Sequence, residues 1–262
     1  MKGFYEVFRT ESLKAARSKI FWATLLVFAF IAVMMGLLVY VAKHPDLMKN
    51  SAILSAKATI IGQADWPAYF ALLLQVVSMI GLIGFGFVAG WVFGREYSDR
   101  TAKDLMALPV SRSVIVTSKF ALVVIWSILL ALILYVFGLL TGLMVRIDNW
   151  SAETARHAFV VFMGTSLLTI LITTPVAFFA SWGRGYLLPI AYIIFTIIFT
   201  QLIITGIPGL GPYFPWAIPA LYCGAAGPES SHLGMASYMV LGLTSVVGFS
   251  GTLIWWRYAD QI

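Results

Sequence analysis

The sequence predicts an all-α polytopic membrane protein with six transmembrane helices, and three observations lead there. Apolar residues make up 61% of the chain and charged residues only 11%, with a mean hydropathy of +0.93, which leaves too few charges to hydrate the surface of a soluble domain. The apolar residues fall in long runs. Residues 20–42 carry no charge, and as a helix that run measures about 34 Å against a hydrocarbon core of roughly 30 Å. The Lys and Arg residues sit at the ends of such runs, so the net charge of +6 reads as membrane topology and not as a nucleic-acid surface.

The first nineteen residues, MKGFYEVFRTESLKAARSK, put Phe4, Val7, Phe8 and Ala15 near one helical face and Lys2, Glu6, Arg9 and Lys14 elsewhere. Segment 1–19 is therefore expected to be an amphipathic helix at the membrane interface. The run 20–42 is too long for the apolar core of a signal peptide, and Lys43-His44-Pro45 is a poor cleavage site, so it is expected to remain as span one. Further spans are expected near 67–93, 115–145, 157–182, 186–206 and 235–256. Summed on alternate sides of these spans, Lys and Arg number 12 against 5, which by the positive-inside tendency puts both termini in the cytoplasm.

Segment 207–234 differs from the other loops. The stretch GIPGLGPYFPWAIPALYCGAAGPESSH holds five of the ten prolines and no Lys or Arg. It is too broken to span and too apolar for an ordinary loop. Non-helical backbone at membrane depth persists only where protein or a water-filled cavity satisfies it, so short re-entrant or interfacial pieces are expected on the outer side before span six. An exposed loop anchored by Tyr213 and Trp216 is the alternative. Gly86-x-x-x-Gly90-x-x-x-Gly94 and Gly138-x-x-x-Gly142 mark places where helices can approach closely.

Several chemistries are missing from the sequence. Cys223 is the sole cysteine, so neither an internal disulfide nor a CxxC site can form. The histidines, His44, His157 and His232, are scattered without metal-site spacing, and no GxxxxGK[ST] phosphate loop occurs. Nucleotide-driven work must therefore come from another polypeptide. Uncharged polar residues do cluster inside the spans: Gln75 and Ser78 in the second, a Thr/Ser series from Thr165 to Thr174 in the fourth, and Thr196, Thr200 and Gln201 in the fifth. A hydroxyl can satisfy itself on its own helix, whereas a glutamine at mid-span is costly to hide. Gln75, Ser78, Thr196, Thr200 and Gln201 are the candidate substrate pathway, with inter-helix hydrogen bonding as the plainer alternative.

The charged stretch FGREYSDRTAKDLMALPVSR, residues 93–112, stands between spans two and three. Thr101-Ala102-Lys103-Asp104 fits a helix-capping pattern, and Pro109 pushes Leu108 out of helical geometry. The spacing predicts a short helix over 102–107, with Leu105 and Leu108 as an apolar knob that needs something to pack on. Arg112 is expected to brace against Glu96, with lipid phosphate as the alternative partner.

Together, GREYSDRTAKDLMALPVSRSVIVTSK resembles the cytoplasmic loop between spans two and three of ABC-transporter permeases of the drug-exporter type. The matching positions are Glu96, Thr101, Leu105, Leu108, Pro109, Ser111, Arg112 and Lys119; Arg100 departs from the glycine often found before the threonine. The YFPWAIPALYCG stretch adds a likeness to the bacitracin-exporter-like, six-span branch.

The resemblance implies a single transmembrane permease domain over 1–262. Its cytoplasmic loop, 94–114, would carry a coupling helix seated in a cytoplasmic ABC ATPase, with Glu96, Thr101, Leu105, Leu108, Pro109 and Arg112 as ATPase-coupling residues. It further implies two permease and two ATPase copies, spans two and five facing a central space, and ATP and Mg on the partner, with no cofactor in this chain. The expected role is the membrane subunit of an exporter in the bacterial cytoplasmic membrane, moving an amphipathic or peptide antibiotic. A membrane-embedded enzyme of lipid-linked substrates and a non-transporting sensor or assembly factor are the alternatives.

Overall fold

The computed structural model describes residues 2–44, 64–101, 109–227 and 233–258. Its elements are all helical: α1 (Lys2–Ala16), α2 (Lys19–Lys43), α3 (Trp66–Ser98), α4 (Arg112–Met144), α5 (Ala152–Ile172), α6 (Thr174–Trp182), α7 (Leu187–Gly206), a 3₁₀ turn (Pro208–Tyr213), α8 (Ile218–Tyr222) and α9 (Met235–Tyr258). Among the described residues, six stretches are long and apolar enough to cross a membrane: α2, α3, α4, α5 continued by α6, α7 and α9. The expected coupling helix, with Leu105 and Leu108, lies outside the described residues.

Local chemistry sets where the spans begin. Ser18, Asp65 and Ser111 stand in extended geometry before α2, α3 and α4, and each side chain accepts from a first-turn amide, Phe21 N, Ala68 N and Val114 N respectively. Such a cap satisfies one of the four amides that a helix start leaves free. The sequence placed the end of span two at residue 93. The helix instead runs on through Arg95 and Glu96, both buried, because their charges find partners inside the bundle.

Three helices end on an arginine in the left-handed region: Arg100 (φ 59°), Arg146 (φ 53°) and Arg184 (φ 49°). Around Arg100 the closure is a Schellman motif, with Thr101 N donating to Glu96 O at 2.9 Å and Arg100 N to Tyr97 O at 3.3 Å. The departure from glycine seen in the sequence thus leaves the turn intact, at a steric cost of roughly 1–2 kcal/mol for a residue with a Cβ. Arg100→Gly is expected to raise stability by about 1 kcal/mol, read as a higher unfolding midpoint in detergent. An unchanged or lower midpoint would show that Arg100 carries a compensating interaction.

Helix α3 is the hub, packed against α4, α5, α6 and α7. The glycine series works within the chain. A Cβ on Gly86 would meet Ile193 at 2.8 Å, one on Gly94 the carbonyl oxygen of Gly185 at 3.0 Å, and one on Gly142 the ring of Trp66 at 2.6 Å. The tightest backbone approach is one the sequence reading did not single out: a Cβ on Gly248 would lie 2.5 Å from Pro175 N. Pro175 sits in the first turn of α6, where its missing N–H interrupts the ladder of span four. The freed carbonyl of Leu171 accepts instead from Ser245 Oγ at 2.9 Å and Thr174 Oγ1 at 3.0 Å. Helix α9 thereby repairs the kink. Gly248→Ala is expected to cost about 1–3 kcal/mol, whereas Gly242→Ala in the same helix, with open space at its Cβ, should stabilise by up to about 1 kcal/mol; equal unfolding midpoints for the two would contradict this packing.

Among its described residues, the proline-rich segment is not a plain exposed loop from Gly211 to Ala220. Its 3₁₀ turn and α8 pack on one another, and Ala217, Ile218 and Ala220 are buried, with α8 against α5, α3 and α9. Pro212 and Pro219 keep both pieces short, because neither can donate to a longer helix.

Candidate coupling and binding sites

At the end of the bundle where α1 lies, four charged side chains meet away from solvent. Glu11 of α1, Arg95 and Glu96 of α3, and Lys119 of α4 are 1%, 6%, 2% and 0% exposed. Lys119 Nζ donates to Glu11 Oε2 at 3.0 Å, to Glu96 Oε1 at 2.8 Å and to Val92 O at 3.0 Å. Arg95 bonds both carboxylates through separate nitrogens, and its guanidinium lies 4.8 Å from the Trp91 ring centroid. Two cations thus face two carboxylates, which is the condition for keeping charge inside a low-dielectric bundle. Burial raises the Glu11 carboxyl, but Lys119, Arg95 and Lys14 outweigh it and hold the group at about 2.

Why these residues meet follows from helix spacing. On α1 the side turned inward carries Val7, Phe8, Glu11 and Ala15, while Phe4 is 38% exposed. That is one helical face, with a carboxylate among its apolar residues. The sequence reading noted the apolar members and passed over Glu11, although an acid on the apolar face of an interfacial helix is the available signal that a buried cation awaits it. Arg95 was likewise missed, and Lys119 entered only as a motif position.

The expected Arg112–Glu96 brace is not formed. Glu96 is taken by Lys119 and Arg95, one turn inside the bundle. Arg112, at the start of α4, donates from Nη1 to Trp256 O at 3.1 Å and Arg257 O at 3.3 Å. The last carbonyls of α9 lack helical partners, and a cation there also complements the helix dipole. Thr101 and Pro109 flank residues 102–108, which hold Leu105 and Leu108 outside the described residues. The two stems of that loop are therefore fastened, one to α1 through Arg95 and to α4 through Glu96, the other to α1 through Lys119 and to α9 through Arg112.

The polar pathway candidates occupy the other half of the bundle. Gln75, Ser78, Thr200 and Gln201 line a cavity of about 210 Å³ together with Trp216 and Ala225 of the proline-rich segment. A neighbouring cavity of about 250 Å³ shares Gln75 and Ala225 with it. Thr196 is not in its lining; it is buried and donates to Ile193 O at 2.8 Å. Ser78 Oγ donates to Gln75 O, and Thr200 Oγ1 to Thr196 O, so both hydroxyls are satisfied on their own helices. The glutamine side chains are exposed. The fourth-span hydroxyls Thr165, Ser166 and Thr169 are buried and bonded to their own helix, which makes them packing residues.

Residues 7–201 of the chain match the family described as ABC-2 family transporter protein. The chain is also 30% identical over 189 residues to the bacitracin transport permease protein BCRB of Bacillus licheniformis, an alignment covering 71% of this chain and 88% of that protein. The family match takes in the whole buried charge cluster and both glutamines, and ends before Trp216.

Proposed function

This chain belongs to the ABC-2 family of transporter proteins, and we propose that it serves as the membrane subunit of an ATP-driven exporter. The observation that carries this is the buried Glu11–Arg95–Glu96–Lys119 cluster, which ties both stems of the 101–112 loop to the rigid bundle. A push on that loop reaches α3, α4 and α1 together instead of being lost in a floppy connection. In this reading, a separate cytoplasmic ATPase binds ATP and Mg and seats on the loop, and two copies of each chain make the working unit. The cavity beneath the proline-rich segment lies on the substrate path. Its polar groups are few and uncharged, which suits an amphipathic or peptide cargo such as the bacitracin named for the relative.

Purifying the chain from its native membrane tests the reading. A nucleotide-binding partner that stays bound, with ATPase activity dependent on the pair, is expected; a chain recovered without one would overturn the exporter reading.

The proposal places both termini in the cytoplasm of a bacterial cell. With Cys223 replaced, cysteines introduced at Ser98 and Ala259 are expected to label only from the cytoplasmic side, and those at Asn50 and Ser230 only from outside. Labelling of Ser98 from outside would reverse the orientation.

A further inference from the structure

We propose that the outward face of α1 is a docking surface for anionic phospholipid headgroups, with Arg9, Arg17 and Lys19 as its phosphate-binding cations. The apolar face read from the sequence is taken up by the bundle: Val7, Phe8, Glu11 and Ala15 turn inward, and α1 packs on α4. The opposite side is left uncovered. Tyr5 and Leu13, eight residues apart and so on one face, are 65% and 48% exposed, and Arg9 stands midway between them, also exposed.

Two observations say what covers this face. The first is continuity with the lipid-facing surface. Trp22, Leu26 and Phe30 recur every fourth residue along span one and are 60%, 70% and 63% exposed, an apolar stripe on the outside of a membrane bundle. At the α1 end of that stripe the Trp22 indole donates to Ala16 O at 3.1 Å. Ala16 lies three residues past Leu13 and seven past Arg9, on the same face of α1. The surface therefore runs from span one onto α1 without a break, with Tyr5 and Trp22 as interfacial aromatics. The second observation is charge. Arg9, Arg17 and Lys19 are exposed and form no ion pair among the described residues, whereas Lys14 is held by Glu11 at 2.9 Å. They outnumber Glu6, the exposed acid of the helix. Long basic side chains at an interface lay their stems on apolar surface and carry their charge to the headgroups, and each adds about fivefold in affinity for an anionic surface. A zwitterionic headgroup brings its own cation and gains little. On the exporter reading, a lipid seated here steadies the helix whose Glu11 enters the buried cluster.

The test uses the full-length protein in uncharged detergent micelles with fluorine on its tryptophans; the ¹⁹F resonance missing from Trp22→Phe identifies Trp22. Short-chain dihexanoyl-phosphatidylglycerol is expected to shift that resonance saturably and to bind at least about tenfold more tightly than dihexanoyl-phosphatidylcholine, while inorganic phosphate leaves it in place. Arg9→Gln, Arg17→Gln and Lys19→Gln together should abolish the preference, and Arg9→Lys, Arg17→Lys and Lys19→Arg together should keep it. Glu6→Gln should tighten phosphatidylglycerol binding by up to about fivefold, a gain that a folding defect cannot produce. Equal binding of the two lipids, a preference that survives the triple glutamine variant, or phosphate alone reproducing the shift would overturn the proposal. The titration uses this chain by itself, so its failure leaves the exporter reading standing, and a missing ATPase partner leaves the lipid preference standing.

Discussion

Lys119→Met is expected to cost about 3–5 kcal/mol of stability, the penalty for leaving buried carboxylates without their cation. Lys119 is wholly buried and holds Glu11 and Glu96 at once, and Met fills much of its volume without its charge. Packing loss is therefore small and the effect electrostatic. Adding Glu96→Gln to Lys119→Met should recover a large part of the loss, since no uncompensated charge then remains beside Arg95 and Glu11. Thermal unfolding of the single and double variants in detergent checks this, and a double variant no better than the single would show that geometry, not charge balance, holds the site. A pH series adds a second readout. Glu11 is depressed from its ordinary value of 4.5 to about 2, so its contribution is fully present above the ordinary value and is lost as pH falls from there towards 2. Removing Lys119 removes the foremost of the charges that depress it, so acid destabilisation in the variant should be smaller over that window.

If the proposed partner ATPase seats on the loop, replacing Leu105 and Leu108 together by Asp is expected to abolish its recovery with this chain while leaving the six spans inserted. Truncating one well-buried leucine costs about 2–5 kcal/mol, and an aspartate pressed into an apolar pocket adds the burial of a charge; two such changes exceed what a docking surface of this length can spare. The spans should survive because both residues lie in the loop between α3 and α4, whose ends are held independently by the Glu96, Lys119 and Arg112 contacts. Full-length protein in the membrane fraction, with the ATPase absent from the purified complex and transport lost, is the expected pattern. Undiminished ATPase recovery would show residues 101–112 to be an ordinary loop.

The six spans were legible because hydropathy and length are properties of contiguous sequence: residues 20–42 need only be uncharged and long enough, whatever packs beside them. The broken character of the proline-rich segment was legible for the same reason, since a proline lacks its donor in any fold. Gln75, Ser78, Thr200 and Gln201 could be picked out as costly or polar residues at membrane depth. That they share one cavity with Trp216, and that Thr196 does not, was decided by how α7 and the proline-rich segment rest on α3. The charge cluster depended still more on tertiary structure. Glu11 and Lys119 are 108 positions apart, and sequence reasoning assigns a charge near a span end to water or lipid phosphate by default. Only the packing of α1 on α4 brings the carboxylate to the ammonium, and only that pairing allows Arg95 and Glu96 to sit inside a helix that the sequence would have ended before them. Arg112 shows the same limit, since its nearest acid in the sequence was not its partner. The unfilled carbonyls at the end of α9 were, because helix ends present acceptors that no linear pattern reveals.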